Sequence, residues 1–170
     1  NRHPNSDYYK FWKQEKERCL HGYLRESDGE WIPGYYYFYL NYSPIMITED
    51  ILDEHGQPTG RADRKIGFPN VWDSDYMFFH YVEQAHAVGK FGALLKTRGR
   101  GYSFKGAAML GRNYTFIPSS KSFAFASDTE YLYDDGLLSD KAWNVLDWVD
   151  EHTAWKKERL KDSLDQKRAG

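Results

Sequence analysis

Residues 92–105 read Gly-Ala-Leu-Leu-Lys-Thr-Arg-Gly-Arg-Gly-Tyr-Ser-Phe-Lys, and they say most about the architecture of this chain. A short apolar segment, residues 91–95, comes before a loop rich in glycine and arginine. A short apolar run of this kind is typical of a buried strand in a parallel sheet. The following run, Ser103 to Phe116, has helical character, and a helix N-terminus offers free N–H groups to an anion. The order strand, loop, helix is that of a phosphate-binding loop.

The loop matches the P-loop pattern in part. That pattern is Gly, four residues, Gly, Lys, then Ser or Thr, in which the backbone wraps phosphate and the hydroxyl binds Mg²⁺. With Ser103 as the hydroxyl, Gly101 is the second glycine, while Tyr102 takes the usual lysine position and Lys96 that of the first glycine. A long, flexible lysine stem lets Lys96 fold back over the phosphates. Lys105, one turn into the helix, is a second candidate for this lysine, and a basic surface turn without a ligand is the alternative.

The loop residues receive individual roles in this hypothesis. Lys96 and Arg98 are the predicted catalytic residues, and Gly99 and Gly101 are expected to adopt positive φ so that the backbone can close around phosphate. Ser103 is predicted to coordinate Mg²⁺ and to cap the helix. The whole predicted nucleotide-binding set in the loop is Lys96, Thr97, Arg98, Gly99, Arg100, Gly101, Tyr102, Ser103 and Phe104. The two arginines have an alternative role, in which they face a neighbouring subunit or DNA.

An aromatic segment upstream is the candidate base-binding element. Residues 34–42 read Gly-Tyr-Tyr-Tyr-Phe-Tyr-Leu-Asn-Tyr, and a ring face suits the flat apolar surface of adenine. Tyr36 and Tyr37 are the predicted contacts, and core packing is the alternative for each ring. Strand and helix both remain open for this segment because its periodicity does not decide between them.

The loop, residues 96–103, resembles the deviant Walker A loop of phage large terminase subunits. In that family the lysine often lies at the loop entrance, and Gly-Tyr-Ser can replace Gly-Lys-Ser. Residues 34–45, 68–81 and 122–127 also resemble terminase sequence, so the likeness runs from about residue 22 to 155. It implies the ATPase of a viral DNA-packaging motor, with ATP and Mg²⁺ as cofactors. It also implies double-stranded DNA, a portal protein, a small terminase subunit and a homo-oligomeric ring as partners, at the procapsid portal in the host cytoplasm.

The chain departs from a whole terminase in one respect. No run of four apolar residues is followed by Asp-Glu, and the nearest acid after an apolar run is Asp128. We expect the Walker B strand and the catalytic Glu to lie beyond residue 170, and the nuclease to belong to the full-length protein. The expected organisation is a helix and turn region over 1–33 and the N-terminal part of a P-loop ATPase domain over 34–170, inactive in hydrolysis by itself.

Local patterns predict the remaining elements of an α/β fold. Helices are expected over 8–23, with Asp7 as N-cap, over 71–88, over 137–152 and over 154–166. A strand is expected over 45–48 and a hairpin tip or exposed loop over 51–66. A second core strand over 123–126 would complete a strand–helix–strand unit, and so a P-loop NTPase-like parallel sheet with flanking helices. Asp73, Asp75 and Glu83 are expected to be surface or capping acids.

Composition narrows the class further. The chain has 170 residues, a net charge of −2 and 18% aromatic residues, which argues for one folded domain and against a protein that coats nucleic acid over its whole surface. The single cysteine, Cys19, excludes an internal disulfide. The sequence has no apolar run near 18 residues, so no membrane partner is expected. The six histidines are dispersed, and no structural zinc is expected.

Two further classes of function remain open on these residues. One is another P-loop enzyme that acts on nucleic acid, such as a helicase-like ATPase. The other is a non-catalytic nucleic-acid-binding or scaffold module whose basic loop contacts a phosphate backbone. It predicts salt-sensitive binding without ATP dependence. A structured piece that binds nothing because half of its site lies elsewhere is the remaining possibility.

Overall fold

Helices make up the centre of the molecule, and short hairpins lie around them. The computed structural model describes residues 3–134 and 136–169. Its α-helices are α1 (Asp7–His21), α2 (Gly34–Tyr42), α3 (Asp73–Ala87), α4 (Tyr102–Phe116) and α5 (Trp143–His152). Its strands pair as antiparallel hairpins, β1 (Tyr23–Leu24) with β2 (Trp31–Ile32), β3 (Ile45–Leu52) with β4 (Pro58–Gly67), and β5 (Arg159–Asp162) with β6 (Lys167–Ala169). The fold is therefore mixed α and β.

The aromatic segment over 34–42 is a helix, α2, and it occupies the core. Tyr36 stacks on Phe79 of α3, and Phe38 packs edge-on against Phe116 of α4, with ring centroids 5.6 and 5.9 Å apart. A helix that is apolar on every face belongs in an interior, surrounded by other elements. The sequence period could not identify this helix because nearly all of its positions are buried.

A buried carboxylate joins α1 to α2. Glu15 on α1 accepts hydrogen bonds from the hydroxyls of Tyr37 and Tyr42, at 2.7 and 2.5 Å, and from the guanidinium of Arg18 at 2.7 Å. The hydrophobic core includes Cys19 of α1 together with residues of α2, α3, α4 and α5. One core thus contains residues from both the 1–33 region and the 34–170 region.

A buried arginine joins α1 to α4. Arg112 on α4 donates from Nε to the carbonyl oxygen of Cys19 at 2.7 Å and from Nη2 to that of Leu20 at 2.8 Å. The last carbonyls of a helix have no partner within the helix, so Arg112 satisfies the end of α1. Burial lowers the pKa of its guanidinium, which also lies 4.0 Å from the ring centroid of Tyr35.

Most predicted helices are confirmed within a few residues. α1, α3, α4 and α5 lie where the periodicity placed them, with a π-helical turn (Leu138–Ala142) leading into α5. Gly89 follows the C-cap of α3 with φ +63°, a conformation that favours glycine at the end of a helix. Only residues 53–57 form the turn of the β3–β4 hairpin, while residues 58–66 belong to β4, so the tip or loop predicted over 51–66 is confirmed at its centre and wrong over the strand. The N-cap of α1 is Ser6 rather than Asp7, because the Ser6 hydroxyl accepts from the backbone N–H of Tyr9.

The helix predicted over 154–166 is wrong. These residues lead into the β5–β6 hairpin, where Arg159 reaches two carboxylates of α5. Its Nη2 lies 2.7 Å from a carboxylate oxygen of Asp147 and 2.7 Å from one of Asp150. These contacts between distant residues hold the segment in an extended form, against its local helix propensity.

The strands predicted over 91–95 and 123–126 have no regular structure, and the three sheets of the described residues are all antiparallel. The side chains of Phe91, Leu95 and Phe125 are 104%, 101% and 89% exposed. A strand requires a hydrogen-bonding partner, and within 3–134 and 136–169 these segments pair with no other strand.

The core tyrosines give a testable pH dependence. Burial raises the pKa of Tyr36 to about 12, and burial raises the pKa of Tyr37 and of Tyr42 further, with the Glu15 hydrogen bond adding to it. A phenol ionises near pH 10 in an unfolded chain. The stability that these neutral phenols contribute is therefore complete below about pH 10 and is lost as the pH rises toward 12.

We expect phenolate absorbance to rise in two stages, exposed tyrosines first and the core group together with alkaline unfolding. Tyr36→Phe is expected to reduce the second stage and to leave the first unchanged. Reversible titration of every tyrosine near pH 10 in a folded protein would contradict this assignment.

Candidate phosphate-binding site

The loop over 96–101 ends at the N-terminus of α4. Gly99 and Gly101 have φ of +78° and +67°, which confirms the positive φ predicted for both. Gly101 is the N-cap of α4, and the backbone N–H of Phe104 donates to its carbonyl oxygen at 3.0 Å. Residues with a side chain rarely adopt this left-handed backbone conformation, so glycine at position 101 allows the chain to turn into the helix.

The N-terminus of α4 is open to an anion. It has no side-chain cap and no acidic residue in its first turn. Its first backbone N–H groups and the positive end of the helix dipole therefore point out of the helix without a carboxylate of the same turn in front of them. Such an end is a suitable place for a phosphate group.

Ser103 is the second residue of α4 and is exposed. The prediction that it caps the helix is wrong, because the N-cap is Gly101, two residues earlier. Its hydroxyl is nevertheless at the open helix end. A role in holding Mg²⁺ stays a prediction, and a hydroxyl in the first turn beside bound phosphate suits that ion.

The loop is lined by exposed positive charge. Lys96, Arg98 and Arg100 are all exposed, as is Thr97 between the first two. Cations beside the N-terminus of a helix face the positive end of its dipole, which is unfavourable until an anion is bound. A bound anion would relieve this unfavourable interaction.

Lys105, the fourth residue of α4, is held in place by two polar partners. Its ammonium donates to the carbonyl oxygen of Arg100 at 2.8 Å and lies 2.9 Å from a carboxylate oxygen of Asp75. The ring centroid of Tyr102 is 4.3 Å from the same nitrogen. The side chains of Lys105 and Asp75 are only 2% and 9% exposed, so the pair supports the end of the loop from within the protein.

Asp75 is buried, contrary to the expectation from the sequence. It was expected to be a surface or capping acid, and it is buried in the first turn of α3, while Asp73 two residues earlier is exposed. A buried charge is retained only when it is paired. The pairing of Asp75 with Lys105 depends on how α3 packs against α4, and no local pattern could have identified it.

The predicted base contacts lie in the core. Tyr36 is 1% exposed and stacked on Phe79, and Tyr37 donates its hydroxyl to Glu15. In this conformation both rings are occupied by packing, and contact of either with adenine stays a prediction. Phe104, also in the predicted set, is partly buried, with the ammonium of Lys141 5.4 Å from its ring centroid.

Asp128, the acid nearest to a Walker B pattern, has a local role. It is the N-cap of the short helix Thr129–Tyr131, and its carboxylate accepts from the backbone N–H of Glu130 at 3.3 Å. In the parts of the chain that the structure describes, no group of three or more His, Cys, Asp or Glu side chains is arranged to hold a metal ion. Over the same parts no helix is long and apolar enough to span a bilayer.

No protein-family model, no curated protein and no solved structure matches this chain. The geometry of the loop and the sequence resemblance described above are therefore what bears on its function.

Proposed function

We propose that this chain is the ATP-binding part of a viral DNA-packaging motor of the phage large-terminase type. Such a motor couples ATP hydrolysis to the movement of double-stranded DNA into a procapsid. The observation that carries the proposal is the loop over 96–101, which presents exposed cations beside the open N-terminus of α4. Its backbone turns at two glycines with positive φ, the conformation that a phosphate-wrapping loop needs.

In this proposal each loop residue acts through charge and position. Lys96 and Arg98 contact the phosphates and stabilise charge on the transferring group, while the backbone over 99–102 and the α4 dipole hold the anion. Ser103 offers its hydroxyl to Mg²⁺, and bound Mg²⁺ supplies further charge neutralisation at the phosphates. Lys105 is a positioning residue, because its ammonium is held by Asp75 and the Arg100 carbonyl within the protein.

The exposed apolar segments support a larger ATPase fold. Phe91 and Leu95 come before α4, and Phe123 and Phe125 come after it, all with exposed side chains. Exposed apolar side chains grouped in this way mark surfaces that contact another polypeptide segment. We propose that both segments are strands of a P-loop NTPase-like parallel sheet that further chain completes, and that the Walker B acid and catalytic Glu belong to that chain.

The remaining assignments follow from the sequence resemblance. We propose double-stranded DNA, a portal protein, a small terminase subunit and other subunits of a ring as partners, at the procapsid portal in the host cytoplasm. The exposed Arg98 and Arg100 suit either phosphate or a neighbouring subunit. The same exposure favours a second candidate, a module that binds a nucleic-acid backbone without using ATP.

Calorimetric titration of the chain with ATP and Mg²⁺ tests the first candidate. Lys96→Ala is expected to weaken binding by about tenfold to a hundredfold, since a hydrogen bond to a charged group contributes about 1.5–3 kcal/mol. Lys13→Ala is the matched control, because Lys13 is an exposed lysine on α1. It is expected to leave the affinity unchanged.

Two outcomes would overturn the assignment. Equal weakening by Lys13→Ala would mean that the loop lysine has no special role. Salt-sensitive binding of DNA, with no binding of ATP, would favour the non-catalytic module, whose affinity comes from release of counterions.

A further inference from the structure

A cleft of about 440 Å³ lies beside the loop. Its walls are α3, α4 and the segment 89–94, which we name the strap. The residues that matter to the argument are Phe78, Tyr81, His86, Phe91 and Met109. The volume is in the range of small-ligand pockets, and mostly apolar walls with a few polar groups are typical of them.

One wall residue of the cleft contacts the first residue of α4. Phe78 lines the cleft and packs edge-on against Tyr102, the first residue of α4, with ring centroids 5.1 Å apart. On the other side the strap runs on through Leu95 directly into Lys96. The cleft is therefore connected to the loop at two points, through the Phe78–Tyr102 contact and through the strap.

Two contacts hold the strap beside α3. The backbone N–H of Ala93 donates to the Tyr81 hydroxyl at 3.0 Å, and that hydroxyl donates to the Ala93 carbonyl at 3.4 Å. The backbone at Gly92 lies so close to the same ring that a Cβ there would be 3.0 Å from Cε1. Tyr81 thus anchors the strap at Gly92 and Ala93.

The chemistry of the cleft suits a flat aromatic ligand with a polar edge. Aromatic rings of Phe78 and Tyr81 and the flexible thioether of Met109 line it, and the ring of Phe91 is fully exposed at its rim. Rings and methionine side chains pack well against planar groups. His86 and Lys90 add hydrogen-bonding groups to its lining.

We propose that this cleft, rather than Tyr36 or Tyr37, binds the purine base of the nucleotide whose phosphates bind the loop. The proposal rests on the proposed function, since it requires phosphate at residues 96–103. In this proposal Met109 and Phe91 contribute to binding of the base and do not contact the phosphates.

The test compares ATP with inorganic tripolyphosphate, both with Mg²⁺, by calorimetry. Tripolyphosphate has the phosphates without the base. The parent chain is expected to bind ATP about tenfold or more tightly than tripolyphosphate, the size expected for stacking of one base on aromatic side chains. Met109→Trp, which fills the cleft, is expected to bring this ratio close to one and to leave tripolyphosphate affinity unchanged.

Phe91→Ala is a second test, needed in case Met109→Trp fails to fold. The Phe91 side chain is fully exposed, so its removal costs the fold no packing, and it is expected to reduce the ATP-to-tripolyphosphate ratio about threefold or more. Phe123→Ala is the matched control, because Phe123 is also exposed but follows α4 in the sequence, whereas Phe91 precedes it. It is expected to leave the ratio unchanged.

The outcomes separate the two proposals. If tripolyphosphate binds but ATP binds no tighter, the cleft proposal is wrong and the loop assignment stands. If ATP binds tighter and the ratio survives both Met109→Trp and Phe91→Ala, the base binds elsewhere and the cleft takes another occupant, such as a strand of further chain. If neither ligand binds, the proposed function fails, and the base site fails with it.

Discussion

Replacing Asp75 with asparagine is expected to lower the free energy of unfolding by about 3–5 kcal/mol, the usual cost of removing one partner of a buried ion pair. The asparagine keeps the size of the side chain but removes the charge that faces the Lys105 ammonium at 2.9 Å. Lys105 would remain buried beside Tyr102, with the Arg100 carbonyl as its other close partner. Urea denaturation of both proteins measures the difference.

Asp73→Asn is the control for this measurement. Asp73 is in the same first turn of α3 and is exposed, so its removal costs only the dipole interaction of an acid at a helix N-terminus, about 0.3–1 kcal/mol. Equal effects of the two substitutions would show that the buried pair contributes nothing beyond the helix dipole.

A double variant separates stability from loop geometry. Asp75→Leu combined with Lys105→Met replaces the pair by apolar groups of similar size, and such a replacement is often neutral for stability. We expect the double variant to regain most of the lost stability but to bind ATP more weakly than the parent, because nothing then holds the Arg100 carbonyl. Full affinity in a stable double variant would remove the positioning role from Lys105.

Helices α1, α3 and α4 and the glycine conformations of the loop could be predicted because they depend on local sequence. α1, α3 and α4 follow from apolar spacing over one face, and the glycines of the loop follow from the conformations that only glycine adopts readily. The turn of the β3–β4 hairpin follows from a polar segment rich in turn residues, although β4 itself was not predicted. Each of these signals lies within about a dozen residues of the feature that it predicts.

The parts that were missed depend on contacts between distant residues. α2 has no period to detect, since the core surrounds it. The burial of Asp75 needs Lys105, which is 30 residues away on another helix. The β5–β6 hairpin is nearer to its partner in sequence, but the ion pair of Arg159 with Asp150 of α5 forms only once the chain has turned back on that helix. The segments over 91–95 and 123–126 carry the composition of strands, but composition supplies no partner strand.

Glu15→Ala is expected to cost about as much stability as Asp75→Asn, for a different reason. The substitution leaves the hydroxyls of Tyr37 and Tyr42 buried without the carboxylate that accepts from them at 2.7 and 2.5 Å. Each unsatisfied buried donor costs about 1–3 kcal/mol, and the small cavity adds to this. We expect a loss of about 3–5 kcal/mol by urea denaturation.

Two controls on the same helix assign this loss to the hydrogen bonds. Glu17 is exposed on α1 and forms only a surface contact with His21, so Glu17→Ala is expected to change stability by less than about 0.5 kcal/mol. Glu15→Gln keeps an acceptor oxygen at the centre of the cluster, and its loss is expected to fall between the two. A Gln variant as unstable as the Ala variant would mean that the charge facing Arg18, rather than acceptance from the two phenols, is what Glu15 supplies. Tyr37→Phe then decides the point, because it removes one donor without leaving any polar group unpaired on its own side chain.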